Sequence, residues 1–305
     1  SAASDVYKRQ ILSGGGAKGI AYAGMINALD QREKLRQLTH VSGASAGAMT
    51  ASFLGIGMSP DNIYKLVSQL DPTKLLDKDT WDFRAKGNRF RNMLDAIYMV
   101  QMKEHLDGLP QSIRQGNYKI LTAKLTVYKD ALTKQGLNIT KIDDLINLSQ
   151  NPENLEKLDK ALDAIPQQSV AIDGRKVESS HITLGDLAIL RELLPEQSKH
   201  LIKNLSLAVT NQTHNALERY SEDTTPEQPL AQVVQWSGAH PVLFIPGKNA
   251  NGEDVADGGI LDNMPEIDAL DREEVLCVKA ETESLYHERV RLADETTPIM
   301  LTGFK

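Results

Sequence analysis

Residues 38–55 read LTHVSGASAGAMTASFLG, and this stretch decides the fold. LTHV (38–41) is a short strand, SGASAG turns out of it, and AGAMTASFLG continues as a helix. Gly43-Ala44-Ser45-Ala46-Gly47 matches G-x-S-x-G, the nucleophile elbow. The elbow needs these residue types for steric reasons. Its serine sits at a sharp strand-to-helix turn in a strained conformation. Small neighbours, Gly43 and Gly47 above all, let the backbone fold tightly and leave Oγ exposed. The helix that follows points its N-terminus at the site, which favours developing negative charge. Short Gly/Ser/Ala strings also open ordinary helices, so the pattern alone is weak. Its place between a strand and a helix is the context an elbow requires.

One strand earlier lies SGGGAKG, residues 13–19, a backbone suited to wrapping an anion. Gly14, Gly16 and Gly19 satisfy G-x-G-x-x-G, the dinucleotide fingerprint. The P-loop pattern fails, because Lys18 precedes Gly19 and no Ser or Thr follows. A dinucleotide fold also needs an acidic residue about 20 positions on, at the tip of the second strand. That tip is Val41-Ser42-Gly43, without a carboxylate, while Asp30 and Glu33 fall in or just after the intervening helix. The loop therefore reads as an oxyanion hole, with amides around Gly14, Gly15 and Gly16 aimed at a tetrahedral intermediate on Ser45.

A serine nucleophile needs a base, usually a histidine oriented by an acid. The histidines are His40, His105, His181, His200, His214, His240 and His287. His105, His200 and His287 stand in charged surroundings that read as solvated surface. His40 precedes the elbow within its own strand and points away from the site or into packing. His240, in SGAHPVLF, is the best placed histidine and reads mainly as a supporting loop residue. Asp257 competes for the role: it ends the strand EDVA and precedes Gly258-Gly259, which allow close backbone approach. A plain Asp-Gly turn is the other reading of that dipeptide.

The rest of the chain supplies the frame. VYKRQIL (6–12) is a first strand and residues 20–38 a helix; Ser59-Pro60-Asp61 starts another helix with a Ser cap and Pro in its first turn. Strand, loop, helix, strand, turn and helix open an α/β fold with a mostly parallel sheet flanked by helices. Residues 1–70 hold the first part of the catalytic core. Residues 71–180 are polar, lysine-rich and helical where periodic, which reads as a helical insertion or cap, with a small hairpin at Asp173-Gly174. Residues 181–305 hold the second part. It comprises a helix over 183–193, a strand over 205–210, a hairpin of VLFIP (242–246) and EDVADGG around Asn251-Gly252, and a buried strand EVLCVKA (274–280).

Composition limits the partners. A net charge of -7 over 305 residues argues against nucleic acid. Cys277 is the single cysteine, which excludes an internal disulfide and a Cys-rich metal site, and in VLCV it reads as a core thiol. No His, Cys or carboxylate cluster has metal-ligand spacing. No apolar run approaches the roughly 18 residues of a membrane span, and SAASDVYKRQ lacks a signal peptide's apolar core. The chain reads as soluble.

GGGAKG, GASAG and DGG in that order resemble the patatin-like phospholipases. The wider wording (GGGAKGIAYAGMINAL, SGASAGAMTASFLGIGMSPD, ITLGDLAIL, SGAHPVLFIP) is most similar to the ExoU-type branch of bacterial cytotoxins. The likeness covers about residues 1–75 and 181–280. It implies a patatin-like fold and a phospholipase A or lysophospholipase using a Ser-Asp dyad without histidine. Ser45 becomes the nucleophile and Asp257 the base, with Gly14, Gly15 and Gly16 as oxyanion donors. Lys18 occupies the family's basic position in the glycine loop, and Gly43, Gly47 and Gly258 support the two turns. The same likeness implies a phospholipid membrane surface as substrate, ubiquitin as a protein activator, no bound metal or nucleotide, and a secreted effector acting at host membranes. It places most of a C-terminal membrane-binding region beyond Lys305. The alternatives are a catalytically inactive lipid- or ubiquitin-binding module and a dinucleotide-binding protein.

Overall fold

The computed structural model describes residues 8–77, 83–165, 170–172, 175–177, 180–265 and 275–280. His287 and the turn residues Asp173 and Gly174 lie outside them. The chain opens with β1 (Arg9–Leu12), α1 (Ala21–Gln31), β2 (His40–Gly43), α2 (Ala46–Gly55) and α3 (Pro60–Gln69). Helix α1 stops at Gln31, short of the expected 20–38 helix. Glu33 takes a positive φ of 56° that no helix continues through, and Leu38 then turns inward to the core. Helix α3 begins as its sequence dictates: the Ser59 hydroxyl accepts the Asn62 N–H at 3.3 Å, and Pro60 stands in the first turn.

Next come α4 (Asn88–Asp107), α5 (Asn117–Lys134), α6 (Ile142–Ser149), α7 (Pro152–Asp163) and the antiparallel pair β3 (Val170–Ile172) and β4 (Arg175–Val177). Although 71–180 is polar overall, α4 is buried without a break from Asn92 through Met102. A helix covered on every side is a central one. Phe53 of α2 packs on Tyr98 of α4 with ring centroids 6.3 Å apart, and the Ser52 and Tyr98 hydroxyls are 2.6 Å apart. The apolar residues of α4 to α7 join those flanking the sheet in one continuous core. A buried ion pair and a buried hydrogen bond fix the neighbours: Lys124 of α5 meets Asp186 at 2.5 Å, and His181 Nδ1 lies 2.6 Å from Asp95 Oδ2 of α4.

The remaining elements are α8 (Leu184–Leu193), β5 (Asn204–Asn211), β6 (Ala216–Ser221), α9 (Leu230–Ser237), β7 (Gly247–Lys248), β8 (Asp254–Asp257) and β9 (Val275–Val278). Among the described residues the main sheet has seven strands in the order β7-β8-β5-β2-β1-β9, with β6 also on β5. β9, β1, β2 and β5 run parallel; β6, β7 and β8 are antiparallel to their neighbours. The hairpin around Asn251-Gly252 exists, but its first strand is β7, not VLFIP. Residues 241–244 instead form a turn in which the Leu243 and Phe244 amides donate to the His240 carbonyl. Cys277 is half-buried rather than a core thiol, on β9, which among the described residues is the last strand of the sheet, against β1.

One feature of β5 positions everything that follows. β6 covers one edge of β5 along 206–211, while β2 pairs with 204–207 and β8 with 209–211. β2 and β8 must therefore share the other edge, end to end. Gly43 at the end of β2 stands opposite Leu207, and Asp257 at the end of β8 stands opposite Val209. The two strand ends meet head-on.

Candidate active site

At that meeting point the chain leaves β2 through Gly43 and turns into α2 at Ser45, whose φ of 54° and ψ of -124° are strained for a residue with a side chain. The flanking glycines are required by contact. A Cβ on Gly47 would overlap the Leu12 carbonyl, and one on Gly43 would overlap the Gly47 backbone. Strand β1, the turn and the first turn of α2 are pressed together, which forces the sharp bend and lifts Ser45 outward.

Ser45 Oγ donates to Asp257 Oδ2 at 2.7 Å, across 212 positions of sequence. The second carboxylate oxygen, Oδ1, accepts the Gly259 amide at 2.7 Å, so both oxygens are directed. Asp257 is only 4% exposed. Burial pushes its carboxyl above the ordinary value, while the hydrogen bonds from Ser45 and Gly259 and the nearby His240 pull the other way. Gly258 lets the chain turn away at once, because a Cβ there would strike the Ala208 carbonyl. No imidazole stands between Ser45 and Asp257. His240 is exposed, with its Nδ1 accepting the Val242 amide at 3.3 Å. His40 lies at the far end of β2, its Nε2 3.0 Å from Asn204 Nδ2. His105 and His200 are half-buried rather than solvated. His105 Nε2 sits 2.8 Å from the Ile56 carbonyl, and the His200 carbonyl accepts from Lys203.

The glycine loop passes directly over the serine: a Cβ on Gly14 would stand 3.1 Å from Ser45 Cβ. Gly14 departs from the expected role, since its N–H already donates to the Asn263 carbonyl at 2.9 Å. The amides of Gly15 and Gly16, and that of Ala46 at the start of α2, make no hydrogen bond to a described residue. These three lie in the glycine loop and at the start of α2, on either side of the Ser45 turn. Lys18 is exposed on the short turn after them.

Several residues that pattern reading passed over hold this arrangement. Tyr22 donates to the Ser13 carbonyl at 2.6 Å and Ser13 Oγ accepts the Ala280 amide at 3.2 Å, which root the loop on α1 and the segment after β9. Asn263 Nδ2 donates to the Gly14 carbonyl at 3.3 Å. Ser237 accepts the Ser45 amide at 3.0 Å. The sequence signal for Ser237 is its place in the quoted SGAHPVLFIP block; Asn263 has none beyond proximity to Gly258-Gly259. Among the described residues no three His, Cys, Asp or Glu side chains converge as metal ligands, and no helix is long and apolar enough to cross a membrane.

Comparisons with known proteins place the chain among relatives. The crystal structure of VipD from Legionella pneumophila is 58% identical, covering 94% of this chain and 53% of that one with a TM-score of 0.86. The structure of ExoU with SpcU, from the type III secretion system of Pseudomonas aeruginosa, is 21% identical over 90% of this chain and 44% of that one, with a TM-score of 0.44. YqhO of Bacillus subtilis (strain 168) is 41% identical over 73 residues, 24% of each chain. The present chain thus spans about half the length of VipD. The description "Patatin-like phospholipase" matches residues 11–270, and the chain belongs to that family of lipid hydrolases.

Proposed function

We propose that the protein cleaves fatty-acyl esters of phospholipids and lysophospholipids through a Ser45–Asp257 dyad. The observation that carries this reading is the 2.7 Å hydrogen bond from Ser45 Oγ to Asp257 Oδ2 at a strained elbow. Asp257 takes the Ser45 proton as Oγ attacks the ester carbonyl. The resulting oxyanion is held by the amides of Gly15, Gly16 and Ala46 at the positive end of α2. Collapse transfers the proton from Asp257 to the leaving alcohol oxygen and leaves an acyl-enzyme on Ser45. Asp257 then deprotonates a water that attacks the acyl carbonyl, and fatty acid departs as Ser45 regains its proton.

A dyad of this kind needs its base unprotonated but not strongly stabilised as an anion, and burial of Asp257 supplies that balance. The motif resemblance to the ExoU-type cytotoxins extends the reading to a secreted bacterial effector acting at host membranes, with ubiquitin as activator. The test is hydrolysis of phosphatidylcholine and lysophosphatidylcholine vesicles with and without ubiquitin. Wild type should release fatty acid, while Ser45→Ala and Asp257→Asn should not and His240→Ala should keep most of the turnover. A folded His240→Ala as inactive as Ser45→Ala, beside an active Asp257→Asn, would replace the dyad with a histidine-based site.

A further inference from the structure

The dyad explains Ser45 Oγ but not what holds the residue carrying it in a strained backbone. The amide of Ser45 precedes the first turn of α2 and has no partner within that helix. Its partner is the hydroxyl of Ser237, 192 positions away at the end of α9, at 3.0 Å. Ser237 is fully buried, and its own proton goes to the Ala208 carbonyl at 2.6 Å. Ala208 immediately precedes Val209, the β5 residue opposite Asp257. The same Ala208 carbonyl is the surface against which Gly258 turns. One hydroxyl therefore joins the nucleophile's backbone to the strand that seats the base.

We infer that Ser237 is a positioning residue for the proposed hydrolysis: by accepting the Ser45 N–H and donating to the Ala208 carbonyl, it fixes the distance between Ser45 Oγ and Asp257. This rests on the dyad reading above. A serine or threonine serves here because the position needs one acceptor and one donor in the volume of a small side chain. Without the hydroxyl, the Ser45 amide loses its acceptor and the strained turn loses the bond opposing its relaxation. A displacement near 1 Å at a reacting atom can cost roughly a hundred-fold in rate. The effect belongs on reactivity, because Ser237 is enclosed and cannot touch substrate.

The experiment compares wild type, Ser237→Ala, Ser237→Cys and Ser237→Thr in the full chain, using labelling of Ser45 by a fluorophosphonate and hydrolysis of p-nitrophenyl butyrate. Far-ultraviolet circular dichroism checks folding. Ser237→Ala and Ser237→Cys should label and turn over roughly ten- to a hundred-fold more slowly with KM within about two-fold, and Ser237→Thr should recover most of the rate. Wild-type labelling in a folded Ser237→Ala or Ser237→Cys would overturn the inference. So would a loss confined to KM, or a folded Ser237→Thr no faster than Ser237→Ala. If Ser237→Thr cannot fold, Ser237→Cys, close to serine in volume and a poor acceptor, decides the matter alone. A wild type that fails to label Ser45, or an Asp257→Asn variant that labels normally, would instead refute the dyad and this inference with it.

Discussion

Asp257 carries two opposed demands, and substitution should separate them. Because burial raises its pKa in the folded state, the native protein holds that proton more tightly than the unfolded chain does. The ionised carboxylate then costs stability, and that cost appears as pH rises through the folded pKa. Asp257→Asn should therefore abolish hydrolysis yet melt higher than wild type at neutral pH, with the gap closing in acid; differential scanning calorimetry at both pH values checks this. For the same reason the acid limb of the kcat/KM profile should fall above the ordinary aspartate value of about 3.9. The elbow and the carboxylate were legible because G-x-S-x-G and D-G-G carry their own steric logic. Gly14 was not, since whether its amide is free depends on Asn263, 249 positions away. Removing the Asn263 side chain should loosen the glycine loop: Asn263→Ala should lower kcat by about ten-fold, less than the ~10²–10³ that loss of a whole oxyanion donor costs, if the loop acts as proposed.

At the scale of elements, α4 shows what polarity averaged over a segment conceals. Residues 71–180 are polar in bulk, yet Asn92 to Met102 is enclosed, with Asp95 bonded to Tyr128 at 2.8 Å and to His181. Long-range partners make those polar residues compatible with burial, and periodicity cannot show partners. The antiparallel β6 was missed for a related reason, since ALERYS is mostly half-exposed and offers no apolar face. The buried pair behind α4 makes a quantitative test. Lys124 donates to Asp186 and to the His181 carbonyl, while Asp186 accepts the Thr183 amide at 2.8 Å and so caps α8. Lys124→Met leaves a buried carboxylate without its cation and should cost about 3–5 kcal/mol in urea unfolding. Adding Asp186→Asn, which removes the charge but keeps a capping oxygen, should recover a large part of that loss.

For the whole molecule, the end-to-end seating of β2 and β8 on one edge of β5 has consequences beyond the site. Hydrogen exchange should find Asn92–Met102 of α4 as protected as β5, because both lie in one core; early exchange of α4 alone would mean that it opens separately. The general α/β order and the hairpin carrying Asp257 could be read from the chain, but the seating of β8 on β5, end to end with β2, could not, since strand order is set by pairings between distant segments. Those pairings also make enzymatic competence a late event in the life of the chain. Ser45 emerges early in synthesis, while its proposed base Asp257 is separated from it by 212 positions and can reach it only after β5 has accepted both strands. Closing so long a loop is slow relative to forming local helices. During refolding from urea, helical signal should therefore return before esterase activity, with activity following the slowest phase. A chain paused, stretched or partly unfolded between the two residues would by the same route hold the elbow without the carboxylate that the proposed dyad requires.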